Sequence, residues 1–153
     1  MLTVVQRVAR ASVTVEGRVV GRIDGGLAVL VGVHRSDEDA DVQWMAERLV
    51  GLRVFGDESG KMNLSMAQVG AGCLLIPNFT LCAQTGKGHR PSFTDAMEPG
   101  RAKGMFEMLC LKVAASGVPT GMGVFGADMK VELLNDGPVT VLLDSSVNRK
   151  EPG

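Results

Sequence analysis

Seven consecutive residues, Leu27 to Val33, read LAVLVGV with no polar side chain among them. A strand with one face in water alternates apolar and polar residues, whereas one that is apolar throughout is covered on both faces. This run therefore demands packed material on each side of a central strand. It is far short of the roughly 18 apolar residues that a membrane-crossing helix takes. Asp24-Gly25-Gly26 turns the chain into it, and a second buried strand is expected from Cys73 to Ile76, ending at Pro77. Leu2 to Val8 and Val13 to Ile23 also read as strands, the second folded at Glu16-Gly17 into a hairpin. Leu52 to Phe55 is a short strand followed by the turn GDESGK. Met129, Val131 and Leu133 alternate in another strand, Asn135-Asp136-Gly137-Pro138 turns the chain, and Val139 to Leu143 is the last strand.

Two helices accompany these strands. Ser36 followed by Asp39 resembles an N-terminal cap, and Val42, Met45, Ala46, Leu49 and Val50 then recur at helical spacing until Gly51. Pro99 to Ser116 carries Ala102, Met105, Phe106, Leu109 and Val113 on one face, with Gly117 as its C-cap. Ala83 to Thr94 has no periodicity and is a loop. Neither a linker nor an internal repeat divides the 153 residues. The expectation is a single α+β domain over residues 1–145, with 146–153 as a disordered tail.

Sixteen Lys and Arg against seventeen Asp and Glu leave a net charge of −1. The global basic field of most nucleic-acid binders is missing, so any RNA contact must come from a local patch touching few phosphates, and a DNA partner is not expected. Twenty glycines are nearly twice the usual ~7% and mark sharp turns or close backbone approaches. Cys73, Cys82 and Cys110 lack metal-ligand spacing and fit buried thiols in a reducing compartment. The N-terminus begins at once with strand-like alternation rather than a signal peptide, so a soluble cytoplasmic protein is expected.

Three segments stand out as chemistry. Pro77-Asn78-Phe79-Thr80 follows a buried strand directly, a rigid platform for polar groups. Gly86-Lys87-Gly88-His89-Arg90-Pro91-Ser92 spaces three potentially cationic side chains with glycines, which suits a phosphate or a nucleotide end, although it is not a P-loop. Asn135-Asp136-Gly137-Pro138-Val139-Thr140 is rich in turn residues. With His34 and His89 as the only histidines and no G-x-S-x-G, no Ser-His-Asp triad is available, nor is there a zinc set.

Taken together, VVQRVARASVTVEG, RVFGDESGKMNLS, KGHRPSFTDA and ADMKVELLNDGPVT, in this order, resemble the bacterial-type D-aminoacyl-tRNA deacylase family over about residues 1 to 145. The resemblance implies a barrel-like mixed β-sheet flanked by two main helices, assembled as a homodimer with an active site at each subunit boundary. The family's Ser-Gln pair and its Thr fall on Pro77, Asn78 and Thr80. Its Gly-Pro pair, cis in the family and inserted into the partner's site, falls on Gly137 and Pro138, with Arg7 helping to hold it. Lys87, His89 and Arg90 are the expected tRNA contacts. The implied reaction is hydrolysis of the ester joining a D-amino acid to the 3′ end of tRNA, without metal, cofactor or membrane. Glycine mischarged on an alanine tRNA is a further implied substrate.

The chemistry suits these residues. An L side chain would run into the Gly-Pro backbone, while a D side chain points away and glycine has nothing to clash. Backbone N–H groups around Phe79 and Thr80 can hold the tetrahedral oxyanion, each good donor contributing about 3–4 kcal/mol. The resemblance assigns water activation to the 2′-hydroxyl of the terminal adenosine. The alternative, Thr80 as nucleophile, lacks a neighbouring base in sequence, so Thr80 is expected to position groups, beside Asn78. Two departures mark this chain. Pro77-Asn78 stands where the family has Ser-Gln, and Val124 where it commonly has Arg. A Pro at the first position also occurs in a related branch that clears L-alanine mischarged on a threonine tRNA. That branch is the first rival reading, and a non-catalytic tRNA-end binding protein is the second.

Overall fold

The computed structural model describes residues 1–149. The expected buried run is β3 (Gly26–Gly32), which pairs in parallel with β6 (Gly72–Pro77) on one side and antiparallel with β1 (Leu2–Val15) on the other. β6 pairs in parallel with β7 (Thr120–Met122), β1 forms a hairpin with β2 (Arg18–Ile23), and β8 (Lys130–Asp144) runs along the whole of β1. A side chain on Gly21 of β2 would strike the Met122 carbonyl of β7, so the two ends of the sheet nearly meet. The result is a nearly closed, barrel-like mixed sheet.

Alternation along β3 and β6 explains why both read as apolar throughout. Leu27, Val29, Val31, Cys73 and Leu75 face α1 (Asp39–Gly51) and α3 (Pro99–Ala115), meeting Val42, Met45, Leu49, Phe106, Leu109 and Val113. Ala28, Leu74 and Ile76 face the barrel interior with Val8, Ala11, Val13 and Ile23. Val8 and Ala11 have opposite parity, yet both point inward, because the register with β8 slips between Val8 and Arg10. The strands β3 and β6 approach so closely that a side chain on Gly26 would collide with the Gly72 backbone.

Several local expectations change. The first strand does not stop at Val8 but continues to Val15. The Asn135–Pro138 turn is not a hairpin: β8 is one strand that keeps its pairing with β1 on both sides of it. The helix cap is Glu38, whose N–H donates to the Asp41 carboxylate, while Ser36 instead engages the His34 ring. GDESGK is the tip of a small hairpin between β4 (Phe55–Gly56) and β5 (Met62–Leu64), after which comes the short α2 (Met66–Val69). At the start of the expected tail the chain makes a 3-10 turn over Ser145–Asn148, and 150–153 lie outside the described residues.

That 3-10 turn belongs to a polar corner. The Met1 ammonium, fully buried, donates to Asp37 at 2.5 Å and to the Ser145 hydroxyl at 2.6 Å. Ser145 in turn donates to Asp41, and Arg149 reaches both carboxylates. Trp44, stacked 5.2 Å from the Arg48 guanidinium, forms part of the wall of the same corner.

Candidate active site

β6 ends at Pro77, and the Asn78 N–H closes the pairing by donating to the Val31 carbonyl at 2.7 Å. The chain then enters a 3-10 turn, Phe79–Cys82. Such a turn leaves its first N–H groups without internal acceptors. Among the described residues, neither the Phe79 nor the Thr80 N–H has an acceptor. The Thr80 hydroxyl donates to the Asn78 side-chain oxygen at 2.5 Å. Its proton is therefore directed at an amide oxygen, which is no base.

This turn divides two cavities. One, of about 430 Å³, is walled by Val33, Phe93, Met97, Phe106 and Phe125 together with Pro77, Asn78 and Phe79. Its lining is mostly apolar, and Phe79 meets Phe93 edge to face with ring centres 5.1 Å apart. The other, of about 320 Å³, opens on the barrel mouth at Leu30, Ile76 and Met129. Phe79 is 57% exposed, unusual for an aromatic ring unless something covers it.

Gly137 and Pro138 lie in a loop extruded from β8. Gln6 pairs with Thr140 and Val8 with Asn135, so four residues of β8, 136–139, stand opposite Arg7 alone. The peptide bond Gly137-Pro138 is cis, the state implied by the resemblance. Arg7 secures this loop: its Nε donates to the Asp136 carbonyl at 3.1 Å and its Nη1 to the Val54 carbonyl at 2.7 Å. Asn135 closes the neck, its Nδ2 donating to the carbonyls of Arg7 and Val139 at 3.0 Å each. Gly137 has φ +135°, and a Cβ there would lie 2.8 Å from the Val139 side chain and backbone. Only glycine fits this position without strain.

Within one chain the two segments are apart. Pro77 aligns through Val31 with Thr3 of β1, whereas the extruded loop faces Arg7. Four residues at ~3.3 Å and three strand spacings of ~4.8 Å separate them by roughly 13 Å along the sheet and 14 Å across it. Lys87, His89 and Arg90 are exposed on the loop whose neck is the Gln84–Ser92 bridge, anchored by Gln84 and Arg35 to Asp95. Val124 is exposed as well. Burial pushes the Cys73 and Cys110 thiols up to about 12, which removes them as nucleophiles at neutral pH. Among the described residues no three His, Cys, Asp or Glu side chains converge on a metal position. Val54, Phe93 and Met97 were not singled out as site residues in the sequence: the first contributes a backbone carbonyl, which no side-chain pattern reports, and the others lie outside any periodic pattern.

The model of the family described as D-Tyr-tRNA(Tyr) deacylase matches residues 4–144. The chain belongs to this family. A D-aminoacyl-tRNA deacylase of Myxococcus xanthus is 52% identical over 145 residues, 95% of each chain. One of Desulfitobacterium hafniense is 51% identical over 148 residues, 97% of this chain and 99% of the relative. A solved structure titled c-Myc DNA Unwinding Element Binding Protein superposes with a TM-score of 0.88 at 38% identity, over 94% of this chain and 98% of that one. A probable eukaryotic D-amino acid tRNA deacylase shares the fold, with a TM-score of 0.77 at 16% identity over 93% of this chain and 97% of that one. Deacylase membership fits the expected fold class as well as the chain-wide spread of the four matching stretches.

Proposed function

We propose that the protein hydrolyses the ester of D-aminoacyl-tRNA in the cytoplasm, as a homodimer in which the Gly137-Pro138 loop of one subunit completes the site at Pro77–Thr80 of the other. Membership of the deacylase family over residues 4–144 is the observation that carries this reading. The separation of the two segments within one chain supports a site completed from a second copy. In that site the Phe79 and Thr80 N–H groups are the oxyanion donors, and a D side chain turns away from the Gly137-Pro138 backbone that an L side chain would strike. Thr80 positions Asn78 rather than attacking, since no base receives its proton. The Phe79–Phe93 cavity takes the terminal adenosine, whose 2′-hydroxyl supplies the base function missing from the protein, and Lys87, His89 and Arg90 approach the tRNA backbone. Glycyl-tRNA falls within the same selectivity, because glycine has no side chain to clash.

Pro77 supports a second reading, the clearance of L-alanyl-tRNA. Single-turnover deacylation of D-Tyr-, Gly- and L-Ala-tRNA by the natural protein and by Pro77→Ser separates the two. Rapid release of D-Tyr, with Pro77→Ser changing the rate less than about tenfold or ~1.4 kcal/mol, is expected. Rapid L-Ala release reversed by Pro77→Ser moves the protein to the second reading. Binding of tRNA with no turnover of any substrate leaves a tRNA-end binding protein.

A further inference from the structure

The two long helices cover the outer face of the sheet over β3, β6 and the first half of β1, and no residue of β2 or of Arg10–Val15 joins that core. Ala11, Val13 and Ile23 point into the barrel, which leaves the outward positions to Arg10, Ser12 and Arg22. Ser12 pairs with Arg22 on one side and Glu132 on the other, and Arg10 pairs with Leu134. Arg10, Ser12, Val19, Arg22 and Glu132, with Ala11, Ile23 and Leu133, line a groove of about 190 Å³. Among the described residues neither Arg10 nor Arg22 forms an ion pair. Two guanidinium groups and one carboxylate leave the groove with one net positive charge. It lies on the strand pair that carries the extruded loop: Arg10 stands opposite Leu134, next to Asn135 at the neck of that loop.

We propose that Arg10 and Arg22 hold backbone phosphates of the same tRNA 3′ end whose ester meets the Gly137-Pro138 loop of that subunit. The inference rests on the cross-subunit reading of the site. Guanidinium groups suit phosphodiester oxygens because their planar forks donate two parallel hydrogen bonds and never lose their charge. A chain of net charge −1 has no global attraction for RNA, so a local pair of unpaired arginines beside the scissile ester matters more than it would in a basic protein. Glu132 limits the groove to one or two passing phosphates.

The test compares two substrates that differ only in having a backbone to hold: D-Tyr-tRNA and the 3′-D-tyrosyl ester of adenosine. In Arg10→Ala/Arg22→Ala the preference for the tRNA substrate, read as the ratio of kcat/KM values, is expected to fall about tenfold. The loss should lie in KM, and Arg10→Lys/Arg22→Lys should restore part of it. The slope of log affinity against log salt should become shallower by about 1.4, at ~0.7 per phosphate on a single strand. An unchanged substrate ratio, or an unchanged salt slope, overturns the proposal. Fluorescence anisotropy with labelled, uncharged tRNA reads the groove without catalysis. Natural and Ala-substituted protein binding this probe equally also overturns it, whereas a weakened variant beside a natural protein that turns nothing over sinks the hydrolase reading alone.

Discussion

Thr80 carries little of its role in its own chemistry and most of it in its neighbour's. Its hydroxyl fixes the Asn78 side chain at 2.5 Å, so Thr80→Ala is expected to slow single-turnover deacylation only moderately, about tenfold or ~1.4 kcal/mol, by freeing Asn78. A loss of several thousandfold would make Thr80 the nucleophile. Gly137 is less forgiving. At φ +135°, with a Cβ 2.8 Å from Val139, Gly137→Ala must distort the loop that Arg7 and Asn135 hold. Discrimination between D-Tyr-tRNA and L-Tyr-tRNA should fall more steeply in this variant than in Thr80→Ala. Of these residues, Thr80, Asn78 and Gly137 were legible in the sequence through the family resemblance. The bond from Thr80 to Asn78 was not, since two residues' spacing in a chain leaves side-chain direction open.

The long strand β8 shows what pattern alone conveys about an element. Its alternation at Met129–Leu133 and again at Val139–Leu143 marked both halves as strand, and Asn-Asp-Gly-Pro between them read as an ordinary turn. The partner strand decides otherwise. β1 continues through Arg7 to Val15, so β8 stays paired with it and extrudes its turn residues instead of reversing. The same dependence on a partner hid β7, only three residues long and stabilised by parallel pairing with β6. In contrast, the two long helices and the doubly covered β3 were legible because their periodicity arises within the element. Since Asn135 donates to carbonyls on both sides of the extrusion, Asn135→Ala leaves two acceptors unmet. A cost of about 1–3 kcal/mol in urea unfolding is expected, together with weakened chiral discrimination. Full stability with unchanged selectivity would show that Arg7 alone holds the loop.

At the scale of the molecule, β8 pairs only with β1 among the described residues, leaving a fifteen-residue edge beside exposed Leu134 and Leu142, the latter 75% exposed. Open apolar edges are covered in stable proteins, so light scattering is expected to give twice the chain mass, and an active monomer would end the cross-subunit reading. The opposite corner sets the response to acid. Burial alone would raise the Asp41 carboxyl, but hydrogen bonds from Ser145, the Glu38 N–H and Arg149, with the Met1 ammonium nearby, outweigh it and hold the group below its ordinary value. A lowered carboxyl adds stability above its unfolded value and loses it as pH falls through the folded one. Asp41→Asn should therefore be less stable than the natural protein at pH 7, and the gap should narrow as pH drops below about 4. A gap constant with pH would remove Asp41 from that account. Trp44 lines this corner, and with no tyrosine in the chain it is the sole strong ultraviolet fluorophore. Intrinsic emission thus watches the corner loosen and the chain unfold while staying silent about the active site. Phe93→Trp, facing Phe79, would place a second lamp there, so that arrival of a nucleic-acid end and collapse of the fold could be told apart in a single cuvette.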